Sequence, residues 1–90
     1  MRERMTQDRA ETIAIDGLAF LAGLPEQIDR FLSLSGIDVS TLRTGAGNPD
    51  VLRAVLDFLL TDDTLVTGYC AEHELEPRDL HMAHRILAGS

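Results

Sequence analysis

Ninety residues suffice for one domain with a single core, and a 44% hydrophobic content spread along the chain marks a folded protein rather than a disordered one. Fifteen acids face eight bases, a formal net charge of −7, and every base is arginine. The absence of lysine excludes Schiff-base chemistry and the lysine of a phosphate-binding loop, and the acidic balance suits poorly the phosphate neutralisation that dominates nucleic-acid affinity.

The chain opens on "MRERMTQDRAET", which is charged and lacks the apolar stretch of a signal peptide. No apolar run is long enough to span a bilayer, so a cytoplasmic protein without a membrane partner is expected. The single cysteine allows no internal disulfide, in keeping with a reducing compartment. Residues 1–9 are expected to form a frayed extension of a single helical domain over 1–90, since termini commonly fray.

The first predicted helix, "IAIDGLAFLAGL", is nearly apolar all round and therefore belongs at a bundle centre or an interface. Leu24-Pro25 ends it and starts the second, because proline fits the first helical turn. That second helix, "EQIDRFLSLS", has an apolar stripe at Ile28, Phe31, Leu32 and Ser35, and Gly36 supplies the left-handed residue that closes it. Asp38 caps a short third segment, cut off by Gly45 and Gly47. Asn48-Pro49 restarts the chain as cap and first helical position, and leads into the apolar "VLRAVLDFLL". There Arg53 and Asp57, four apart, share one exposed strip and are spaced to pair. Thr61-Asp62-Asp63 opens a fifth helix with a stripe at Leu65, Val66, Tyr69, Cys70 and His73. Pro77 begins the sixth, which carries Leu80, Ala83, His84 and Leu87 and ends at Gly89. No segment alternates with the period of a strand, so the expected fold is an all-α compact bundle of about six helices.

The six segments fall into two sets of three. Residues 18–42 align with 56–80 without a gap, at an offset of 38. Leu18, Phe20, Leu21 and Leu42 meet identical residues at Leu56, Phe58, Leu59 and Leu80, while Ile28, Phe31 and Ile37 meet Val66, Tyr69 and Leu75. Apolar periodicity inflates such matches, but a shared architecture of two three-helix units is the expectation they support.

The stretch "LSLSGIDVSTLR" has the grammar of a helix-turn-helix. Its recognition helix would be "VSTLRT", under two turns long, and the charges from Ile28 to Gly47 sum to zero. The second copy of the turn, "ELEPRDL", is acidic, so helix capping explains both turns and no nucleic-acid partner is expected. The stretch "CAEHELEPRDLHMAH" sets Cys70 and His73, then His81 and His84, at three-residue spacings that suit tetrahedral zinc. Against this, Cys70, His73 and His84 fall on apolar stripes, where they pack as partly buried residues, and His81 lies on the flank of its stripe. No metal ligand and no cofactor is assigned. Cys70 has acidic neighbours in Glu72 and Glu74, which oppose an activated thiolate, and no serine sits on a strained elbow. No catalytic residue is assigned, and the chain is expected not to be an enzyme.

Taken in order, "FLSLSGIDVSTLR", "NPDVLRAVLDFLLTDD" and "ELEPRDL" resemble a family of small uncharacterised bacterial proteins, the domain of unknown function numbered 3572. The resemblance runs from about Ala10 to Ala88. It implies a self-standing helical protein of about this length, with no assigned activity and no site residues to carry over. In relatives the second turn reads like the first, with glycine before the apolar residue. Here Glu74 holds that place, which argues against a standard left-handed cap and for a helix ending slightly earlier or later. The cysteine and histidines lie outside the family's pattern. The functional expectation is a non-enzymatic helical module that binds another protein or itself, because two nearly all-apolar helices are hard to cover with four short ones. Phe20, Leu24, Phe58 and Leu60 are the candidate contributors. The alternative is a metal- or redox-responsive regulator using Cys70 and the nearby histidines.

Overall fold

The computed structural model describes residues 5–38, 40 and 48–89. Capping chemistry accounts for where the helices begin. The Thr6 hydroxyl accepts from the Arg9 amide at 3.1 Å, and α1 runs over Gln7–Ala22. Gln7, Asp8 and Arg9, counted from the sequence with the N-terminal extension, form its first turn, and Met5 packs against the core. Pro25 starts α2, Pro25–Ser35, after a tight turn in which Leu24 N–H donates to the Leu21 carbonyl at 2.9 Å. Asn48 caps α3, Pro49–Leu60, accepting from the Asp50 amide at 2.8 Å. Asp62 caps α4, Asp63–His73, through one oxygen that accepts from Thr64 and Leu65. In α5, Pro77–Gly89, the Asp79 carboxylate reaches back to the Glu76 amide at 2.9 Å, half of a capping box.

The described residues thus hold five helices and no strand. Apart from Ser40, the sixth expected segment, the short one after Asp38, lies outside them, so five rather than about six is the count among the described residues. None of the five is long and apolar enough to cross a membrane.

Helices α1, α3 and α5 pack against one another, with α2 and α4 on the flanks. The shared core holds Ala10, Ile13, Ala14 and Leu21 of α1, Leu52, Val55, Leu56 and Leu59 of α3, and Leu80, Ala83 and Leu87 of α5. Small residues set the closest approach. A Cβ on Gly17 would stand 2.9 Å from Leu59 Cδ1 and 3.8 Å from Tyr69 Cζ. The Tyr69 hydroxyl donates to the Ile13 carbonyl at 2.6 Å, tying α4 to α1.

The offset of 38 also relates the helix boundaries. Both α1 and α3 end in register, at Ala22 and Leu60, and α2 and α4 start and stop in register over 11 residues each. Each flanking helix closes on a left-handed residue whose N–H donates four residues back, Gly36 to Leu32 and Glu74 to Cys70. The expectation of a displaced helix end at Glu74 is therefore corrected: α4 stops at the register position, and Glu74 adopts φ 55° itself. The reason is the reversal that follows. Leu75, half-buried against the core, donates its N–H to the Cys70 carbonyl at 2.9 Å, closing a turn that requires the left-handed backbone. The third element of the first half falls outside the described residues.

Candidate functional site

The four residues with metal-ligand spacing are set on different surroundings. Cys70 is buried, and burial followed by the charge of Asp79 pushes its thiol above the ordinary range, the opposite of an activated nucleophile. His73 is exposed and leans its ring on Tyr69 at a tilt of 51°, centroids 4.7 Å apart. His81 is exposed on α5. His84 is half-buried and its Nε2 lies 2.5 Å from Asp57 Oδ1. Among the described residues no group of three or more His, Cys, Asp or Glu is arranged to hold a metal ion. Asp57 turns to His84 of α5 rather than to Arg53 on its own strip. That contact spans 27 residues, so no local pattern announces it.

A concave feature of the described surface lies between α2 and α3. It is an open groove of about 260 Å³, lined by Phe31, Leu34 and Ser35 from α2 and by Ala54, Asp57, Phe58 and Thr61 from α3 and its end. Phe31 and Phe58 meet edge to face beneath it, centroids 5.6 Å apart, and Arg30 holds its guanidinium 5.9 Å from the Phe58 centroid. Leu34 forms one wall and is 71% exposed, against 42% for Ile15 and 41% for Met82, the other exposed large apolar residues among the described ones. The rim is polar. Asp57 is largely open, and the Ser35 hydroxyl accepts from the Ile37 amide at 3.2 Å, which fixes it at the end of α2.

Of the four apolar residues named from the sequence as interface candidates, Phe58 is 7% exposed and contributes to the groove as floor. Phe20, Leu24 and Leu60 are half-buried and packed against the core. Phe20 is held by Tyr69, centroids 5.4 Å apart. Leu34 was missed. It lies off the stripe of Ile28, Phe31, Leu32 and Ser35, and a large apolar residue away from the buried face of an amphipathic helix was the available signal. The helix-turn-helix reading rested on residues 39–44 as recognition helix, all but Ser40 of which lie outside the described residues. Its second copy leads into α5, whose Leu80, Ala83 and Leu87 are core.

The model of a family described as "Protein of unknown function (DUF3572)" matches residues 7–90 of the chain. Comparison with curated proteins and with solved structures gave no match.

Proposed function

This chain belongs to the DUF3572 family, and we propose that it is a non-enzymatic, cytoplasmic interaction module that uses the α2–α3 groove to hold a partner protein. One observation carries the reading: an aromatic floor beside a leucine that is 71% exposed. Burying that leucine against a partner recovers apolar area at about 25 cal/mol per Å², and exposed apolar surface with a polar rim is the usual form of a contact site. The volume, about 260 Å³, is below the roughly 300–1,000 Å³ of small-molecule pockets, so a side chain or two fit better than a metabolite. Catalysis finds less support. The thiol is buried and holds its proton, and His84 is engaged by Asp57.

The test is affinity capture from nuclease-treated lysate of the source cells, with the 90-residue chain and its Leu34→Asp variant as parallel baits, followed by quantitative mass spectrometry. An exposed position tolerates the change within about 0.5 kcal/mol. The expected result is a protein recovered near one-to-one by the first bait and reduced at least roughly tenfold by the second, the loss of a 1.4 kcal/mol contact. Equal recovery by both, or recovery of the bait alone, overturns the reading.

A further inference from the structure

Charge is placed unevenly around the bundle. Helices α1 to α4 each carry exposed acids, among them Asp8, Glu26, Asp50 and Asp63. Helix α5 has no exposed acid, because its one carboxylate, Asp79, is half-buried and accepts from the Glu76 amide. Its exposed face carries Arg78, His81, Met82 and Arg85 instead. Arg78 and Arg85 are seven residues apart, nearly two whole turns, so they leave the helix along one line at a separation of roughly 10 Å. His81 and Met82 lie between them on either side of that line, away from the buried Leu80, Ala83 and Leu87. Capping and packing do not account for this face. Arg78 stands in the first turn of α5, where the helix dipole opposes a cation. Its 3.4 Å contact with Glu76 joins two largely exposed side chains, a pairing worth little in water. Among the described residues His81 and Arg85 have no hydrogen bond or ion pair. Met82 stays uncovered between the arginines, 41% exposed.

We propose that the outer face of α5 docks an acidic, amphipathic segment of a partner protein. Two carboxylates about 10 Å apart meet Arg78 and Arg85, and an apolar side chain between them covers Met82. This goes beyond the groove reading, since none of these residues lines the groove. Complementarity selects the occupant. Guanidinium groups take carboxylates in paired hydrogen bonds, and α5 is the helix of this −7 chain that a negative partner reaches without meeting an exposed acid on it. At physiological ionic strength charges beyond about 8 Å are screened, so the acids of the other helices weigh little at this face. A phosphate chain suits the face less well. Two arginines neutralise two phosphates, and Met82 would be set against charge rather than apolar surface. A second copy laid α5 to α5 brings the same arginines and meets repulsion.

The experiment is a ¹⁵N–¹H NMR titration of the full chain, at physiological ionic strength, with a helical peptide of alanine and glutamine that holds two glutamates seven residues apart and a leucine midway. One control peptide has glutamine for both glutamates, another has glutamine for the leucine, and a third has lysine for both glutamates. The chain carrying Arg78→Glu and Arg85→Glu together is titrated in parallel, with circular dichroism to show that it is folded. The first peptide is expected to shift the amides of Arg78, His81, Met82 and Arg85, and each control to bind at least roughly tenfold more weakly. The double variant should lose those shifts and gain them with the lysine peptide, a swap that a merely damaged fold does not produce. No shift at millimolar peptide, shifts outside α5, or equal binding by the double variant or by either glutamine control overturns the proposal. Shifts on α5 from duplex DNA or anionic vesicles but not from the peptide assign the face to phosphate and overturn it. Self-association in sedimentation that the double variant abolishes assigns it to a second copy and overturns it too. The groove reading is separate from all of these: Leu34→Asp is expected to leave the peptide shifts unchanged, and that reading stands or falls on the Leu34 dependence of capture.

Discussion

Glu74→Gly is expected to stabilise the protein. Glu74 holds φ 55° and ψ 43°, a left-handed conformation that costs an L residue about 1–2 kcal/mol and glycine almost nothing. Glycine gives back roughly 0.5–1 kcal/mol of that through the greater freedom of its unfolded chain. The carboxylate at the C-terminal end of α4 also faces the negative end of the helix dipole, and removing it adds about 0.3 kcal/mol. The net is about 1 kcal/mol, or a Tm rise of about 4–8 °C for a domain of this size. Thermal melts by circular dichroism at pH 7 measure it, with two companions. Glu74→Gln keeps the backbone strain and removes the charge, so it should gain only a few tenths of a kcal/mol. Gly36→Glu places the same strain at the matched turn, where an added Cβ meets nothing within 4 Å, so it should lose about 1 kcal/mol with no steric contribution. A Tm for Glu74→Gly at or below that of the parent chain refutes the reasoning. So does a Glu74→Gln variant that captures the whole gain, because the cause would then be charge.

Gly17→Ala is expected to destabilise by about 1 kcal/mol: overpacking against Leu59 costs about 1–3 kcal/mol, and helix propensity returns about 1. Urea unfolding measures it, and a more stable variant would mean that Leu59 yields freely. Stability is expected to fall as pH rises above about 9. Cys70 and Tyr69 are both shifted upward from ordinary values of 9.0 and 10.0, chiefly by burial, so the unfolded chain releases their protons first and gains relative to the folded one. Below the unfolded values both groups are protonated in both states and contribute no slope. Tyr69→Phe should cost about 1 kcal/mol at pH 7, from the lost bond to the Ile13 carbonyl, and should flatten the decline above pH 10. Denaturation midpoints that fall equally steeply in both chains above pH 10 would contradict this.

What could be read of the candidate site differed residue by residue. Phe58 was legible as a large apolar residue on an all-apolar helix, but its place as groove floor depends on Phe31 arriving from another helix. Leu34 was legible only as an anomaly off the stripe of α2, and its exposure depends on how α2 leans on α3. Cys70 and the histidines drew attention because zinc ligands have short spacings. Those spacings speak to neighbours along one helix, whereas His84 finds its partner on α3 and His73 finds Tyr69.

The sequence by itself determined the helices and their ends. Asn48-Pro49, Asp62 and Pro77 mark starts, Gly36 marks a stop, and the repeat of 38 places α2 and α4 in register before any contact is known, because each of these acts through backbone groups a few residues away. Only the tertiary structure decided how Glu74 is bent. Its own preference opposes the left-handed turn, and the burial of Leu75 and of the α5 face bearing Leu80, Ala83 and Leu87 outweighs a cost of about 1–2 kcal/mol. The same holds for the groove. Its lining comes from two helices, and Phe31 and Phe58 meet only once α2 has packed against α3.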